Sequence, residues 1–148
     1  TNTMHLMAEQ IMNTSNIPLV HIVDTVITEI KKKDMKKVGL LGTKFTMENS
    51  FYRSHLEKHG IEVVIPEQGD REIVHDVIFN ELCKGDFRED SKIIYLKIVN
   101  KLFEAGAEGI ILGCTEIPLL INEEDTKVPL FDTTKIHAHK IADFALKG

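Results

Sequence analysis

Between residues 36 and 132, short apolar runs take turns with amphipathic helical stretches, and this alternation constrains the fold more than any other feature of the chain. Four runs read as strands: "KKVGLLGT" (36–43), "IEVVIP" (61–66), the apolar part of "EGIILGCTEIPLL" (108–120) and "KVPLFDTT" (127–134). Helical spacing fills the gaps. Thr46 reads as the N-cap of a helix over 46–59 that Gly60 ends. Apolar residues at 73, 74, 77, 78 and 82 predict a helix over 71–85, and another runs over 91–105 to Gly106. Strands alternating with helices imply crossover connections and a mostly parallel sheet. The expected fold is therefore α/β, a three-layer αβα arrangement around a four-stranded parallel sheet.

Residues 36–132 account for that lobe completely. The flanks read differently. Residues 4–13 predict a helix with Met4, Met7, Ala8 and Ile11 on one side. "IPLVHIV" (17–23) reads as a strand, 25–33 as a short helix with a basic end, and 133–147 as a closing helix. Residues 1–35 and 133–148 are expected to be parts of a second, similar lobe that is incomplete, and an opening on "TNT" with no leading strand reads as a cut chain.

A formal charge of −5 gives no reason to expect nucleic acid or an anionic membrane as partner. No apolar run approaches the roughly 20 residues that cross a bilayer, and the opening "TNTMHLMAEQ" has neither a basic n-region nor a long apolar segment. Cys83 and Cys114 lie in separate elements, which suggests free thiols in a reducing cytoplasm.

In open α/β sheets, ligands bind beyond the carboxyl ends of the strands. Four small polar stretches belong there: "TNT" (1–3), "GTKFT" (42–46), "GCTE" (113–116) and "DTT" (132–134). They are rich in hydroxyls and in N–H groups at helix starts, which suits a small ligand bearing carboxylates, although Thr, Asp and Asn are also ordinary helix caps. Cys114 stands at the centre of the third. Gly113 allows a sharp turn there, and Pro118 falls in the first turn of a helix, where its missing N–H costs nothing. A thiol facing a helix N-terminus is expected to have a lowered pKa.

Other arrangements carry less. His55 and His59 are spaced i,i+4, but no third metal ligand is evident in the sequence, and a solvated helix face is the simpler account. His137 and His139 do not share a helix face. Gly39 and Gly42 make no G-x-G-x-x-G, there is no phosphate-loop lysine motif, and Cys83 reads as a structural residue in an apolar helix.

"LGCTEIPLL" and "TNTMH", with "LGT" after a strand, "ELCKG" at a helix end and "DTT" before His137, together resemble the aspartate/glutamate racemase family, which includes hydantoin racemases and related malonate decarboxylases. Glu116 points to the aspartate racemase branch. The resemblance implies two similar α/β lobes with the substrate between them, and no pyridoxal phosphate, metal or nucleotide. It also implies proton exchange at the α-carbon by two groups on opposite faces, while hydrogen bonds hold the enediolate-like carbanion. Carried over by motif, Cys114 is one acid/base residue and Thr1 stands where the family usually has the other cysteine. Asn2, Thr3, Thr43, Thr46 and Thr115 would hold the α-carboxylate and amino group, with Glu116 beside them, and Lys84 the distal carboxylate. A hydroxyl is far less acidic than a thiol, so a Thr1/Cys114 pair implies asymmetric chemistry.

The sequence thus points to a cofactor-independent racemase of a small dicarboxylic amino acid, expected to be a cytoplasmic homodimer. Two alternatives are a one-thiol enzyme of the malonate decarboxylase kind and a non-catalytic ligand-binding or assembly module.

Overall fold

The computed structural model describes residues 2–146. Its four strands are β1 (Lys37–Leu41), β2 (Glu62–Val64), β3 (Gly109–Leu112) and β4 (Leu130–Asp132), all parallel, in the order β2-β1-β3-β4. The helices are α1 (Ala8–Thr14), α2 (Ile22–Lys32), α3 (Lys44–Glu48), α4 (Ser50–Glu57), α5 (Gln68–Asn80), α6 (Glu89–Glu104), α7 (Ile117–Leu120) and α8 (Thr133–Leu146). Single 3-10 turns cover Thr3–Met7 and Leu82–Lys84. The α/β expectation and its four-stranded parallel sheet hold.

The sheet is buried on both faces because its strands alternate between two cores. Val38 and Leu40 of β1 and Ile111 of β3 pack with Val23, Val26 and Ile30 of α2 and with Tyr52 and Leu56 of α4. Leu41, Ile110 and Leu112 face the other way, onto Val74 and Ile78 of α5, Ile98 and Leu102 of α6, and Ile117 of α7. The period of two along each strand thus divides the apolar residues between two helical layers.

Four expected elements differ. The helix expected over 4–13 is a 3-10 turn over Thr3–Met7 followed by α1, and of Met4, Met7, Ala8 and Ile11 only Ala8 is buried. Residues 17–23 are not a strand: Ile17 is 78% exposed, and Ile22 and Val23 are the buried first turn of α2. His21 starts that helix, its side chain accepting the Val23 N–H at 3.2 Å. A continuous apolar run fits a buried strand or a helix start equally well, and here the cap decided. The helix expected over 46–59 is two helices, because Asn49 adopts an extended conformation and its Oδ1 accepts the Phe51 N–H at 3.0 Å. Its first cap is Thr43, not Thr46. The helix expected over 71–85 starts earlier, at Gln68, and stops at Asn80, so "LCK" forms a separate turn.

The connections make a switch point. From β1 the chain moves outward to β2, then returns across β1 to β3 on its other side. The crevice beyond the carboxyl ends of β1 and β3 is where open sheets of this kind place ligands. Two glycines meet there. A Cβ on Gly113 would lie 2.9 Å from the Leu41 carbonyl oxygen, and one on Gly42 would lie 3.4 Å from the Gly113 oxygen and 3.2 Å from Thr46 side-chain atoms. The Gly113 N–H donates to the Leu41 oxygen at 2.7 Å. Because the obstacle is backbone, Gly113→Ala is expected to cost about 1–3 kcal/mol, read as a lower urea midpoint, whereas Gly69→Ala, in the first turn of α5 with open space around its Cβ position, does not lower the midpoint and raises it slightly.

Candidate active site

The end of β1 supplies a pair of threonines. Thr43 caps α3, its Oγ1 accepting the Thr46 N–H at 3.3 Å and lying 3.1 Å from the Thr46 Oγ1. Thr46 is 1% exposed, and its methyl carbon would meet a Cβ on either Gly42 or Gly113. Those contacts seat the Thr43–Thr46 pair alongside the turn that carries Cys114.

At that turn the thiol of Cys114 donates to Glu116 Oε2 at 3.0 Å, and the Thr115 hydroxyl donates to the same oxygen at 2.7 Å. Burial pushes the Cys114 thiol up to about 12, and its hydrogen bond to the Glu116 carboxylate adds to the rise. Burial also works to raise Glu116, but the hydrogen bonds from Cys114 and Thr115 outweigh it and hold the carboxyl below its usual value. This corrects the expectation of a lowered thiol pKa. α7 is only four residues long and begins at Ile117, whose N–H is directed at the Cys114 carbonyl at 3.3 Å. The thiol therefore meets a carboxylate, and a one-turn helix supplies little field against it.

Cys83 also departs from its expected structural role. It is exposed on the Leu82–Lys84 turn, which packs beside α7. Its thiol is raised by burial of the sulfur and then by the negative charge of Glu116, and it in turn raises Cys114. Lys84 ends that same turn and is exposed.

The opening residues converge on the sheet from the other layer. Asn2 is 3% exposed; its Nδ2 donates to Thr133 Oγ1 at 2.9 Å, and its Oδ1 accepts the buried Tyr52 hydroxyl at 3.1 Å. Thr133 Oγ1 donates in turn to the Leu112 carbonyl at 2.9 Å, one residue before Gly113. Asn2 thereby ties the start of the chain to α4, α8 and the end of β3. Thr3 is exposed, and Thr1 lies outside the described residues. The sequence drew attention to "DTT" but gave no sign of Tyr52, which comes to Asn2 only through the fold. A hollow lined by Thr25, Leu112, Phe131, Lys135 and His139 opens beyond β4; Cys114 is not among its lining residues. Among the described residues, no helix is long and apolar enough to cross a membrane.

Residues 1–141 match the family described as Asp/Glu/hydantoin racemase, and the chain belongs to it. Among solved structures, a Yersinia pestis protein placed with the Asp/Glu racemases is 51% identical with a TM-score of 0.93, covering 99% of this chain and 64% of that one. An aspartate racemase homologue from Pyrococcus horikoshii OT3 is 41% identical with a TM-score of 0.88, covering 98% of this chain and 64% of that one. The broad specificity amino-acid racemase RacX of Bacillus subtilis (strain 168) is 23% identical over 133 residues, covering 90% of this chain and 57% of RacX. This chain thus spans less than two thirds of the length of each of these three relatives.

Proposed function

We propose that the protein is a cofactor-independent racemase of aspartate or glutamate, with Cys114 exchanging the α-proton. The observation that carries this reading is the hydrogen bond from the Cys114 thiol to Glu116, at a strand end on the switch point. A thiol raised to about 12 rests protonated at neutral pH. It is therefore set to donate, delivering its proton to a carbanion and becoming a thiolate. In the opposite direction the thiol must first lose its proton, and Glu116 is the acceptor already bonded to it. With the thiol raised and the Glu116 carboxyl held low, that transfer is uphill, so the direction in which the thiolate removes the α-proton is the slower one.

Thr1 is assigned the opposite face of the α-carbon. Asn2, Thr3, Thr43, Thr46 and Thr115 would surround the α-carboxylate and amino group. The hydroxyls at the strand ends are the kind of donors that stabilise a developing enediolate. Lys84, exposed beside α7, would receive the distal carboxylate. In this reading residues 36–132 supply all the strands of one complete lobe, residues 1–35 and 133–148 are assigned to a second although α2 covers this lobe's sheet, and the active species is a cytoplasmic homodimer of the whole protein. Reduced thiols at Cys83 and Cys114 accord with that compartment.

The resting protonated thiol also favours a second reading, in which Cys114 protonates the carbanion left by decarboxylation. The two differ in products: racemisation in heavy water places deuterium on the α-carbon of aspartate or glutamate, whereas decarboxylation of a malonate releases carbon dioxide.

For the racemase, Cys114→Ser is expected to lower α-proton exchange by about 10²–10⁴-fold with the circular dichroism spectrum unchanged; exchange at the original rate would remove Cys114 from the mechanism. Lys84→Met is expected to raise KM for aspartate and glutamate more than for alanine, and equal changes for all three would remove Lys84 from the site.

A further inference from the structure

Away from Cys114, five imidazoles gather where the opening turn, α2, α4 and α8 meet. His21 lies 4.9 Å from His5 and stacks on His55 at 4.8 Å, His55 stacks on His59 at 5.5 Å, and His137 lies 5.3 Å from His5. One carboxylate stands among them: Asp24 Oδ1 is 2.6 Å from His55 Nε2. The sequence offered only the His55/His59 pair with no third ligand; the fold brings in two more donors from a different helix.

We propose that His21, Asp24 and His55 bind a first-row divalent transition ion of the zinc class, joining the start of α2 to α4. Two imidazole nitrogens and one carboxylate oxygen are the donor set such ions take, with a fourth position left to water. The three ligand atoms lie within 4.8 Å of one another. With metal–ligand bonds of about 2.0–2.1 Å, a tetrahedral ion holds its ligands about 3.3 Å apart. The 2.6 Å contact between His55 and Asp24 must therefore open slightly and the longer separation close. Asp24 is exposed and its side chain has room to swing.

His21 is already oriented for this role. Its Nδ1 receives only a 3.2 Å bond from the Val23 N–H, which an ion would replace, and the ring also hydrogen-bonds the His5 backbone carbonyl. A second nitrogen bonded to a carbonyl is the usual outer partner of a metal-binding imidazole, because it fixes the ring and its tautomer. A surface hollow lined by Asp24, Thr28, Lys31, Lys32 and His59 opens Asp24, one of the three ligands, to solvent.

The test uses Cys83→Ser/Cys114→Ser protein, so that thiols cannot compete for metal, titrated with Zn²⁺ alone by calorimetry and with Co²⁺ by visible absorption. The expected result is one ion per chain, with the intense bands of a four-coordinate nitrogen/oxygen cobalt site. Binding should weaken by at least about tenfold in His55→Ala and likewise in Asp24→Asn, while His139→Ala, elsewhere on α8, leaves it unchanged. Asp24→Asn changes an exposed side chain and guards against a folding defect in His55→Ala. No Zn²⁺ binding, or binding equally strong in both ligand variants, overturns the site.

Discussion

The meeting of two backbone turns, one after β1 and one after β3, is the constraint on which the rest of the site depends. A side chain at Gly113 would collide with the Leu41 oxygen of the facing turn and one at Gly42 would crowd Thr46, the Gly113 N–H is bonded to the Leu41 oxygen, and the Thr46 side chain packs against both glycines. A separation this small leaves the crevice between neighbouring strands narrow and lined by main chain. It also fixes where Cys114 must emerge, because the residue after a glycine so confined has little freedom to shift. On the other layer, the Asn2–Tyr52–Thr133 network ends on the Leu112 carbonyl, immediately before the same turn. Both layers thus clamp the end of β3.

The electrostatics of that end follow from its immediate neighbours. A helix N-terminus and a carboxylate have opposite effects on a thiol, and here the carboxylate is in direct contact while the helix is one turn long. Burial adds to the rise in the thiol pKa. The result is a sulfur that rests as S–H with its proton already directed at an acceptor. Such a pair differs from a free activated thiolate: it holds proton and acceptor together, and a change in the acceptor alters the thiol directly.

Much of the fold was legible because the strands that matter are short, apolar and bounded by turns. "KKVGLLGT" became β1 and "EGIIL" became β3, each within two residues of the expected limits. The misread run at 17–23 has the same apolar composition, and only the local cap by His21 turned its second half into a helix. Cys114 was found at its strand end for the right topological reason, with the wrong sign for its pKa. The topology is encoded in alternating patterns, but the thiol's proton depends on which way the Glu116 side chain turns, and no periodicity encodes that. Tyr52 and the imidazole cluster escaped notice for a related reason. They are assembled from residues as far apart as Asn2, Tyr52 and Thr133, or His21 and His55, whose proximity exists only after the sheet is built.

The most direct test of the account is an NMR titration of the Cys114 β-carbon in protein labelled with ¹³C at cysteine, with Cys83 replaced by serine. A thiol held protonated by burial and by Glu116 should show no ionisation as pH rises through 9, with its midpoint near 12, and Glu116→Gln should bring that midpoint down. A midpoint at or below 9 would contradict the account, since the helix end would then govern Cys114 and the Glu116 carboxylate would not.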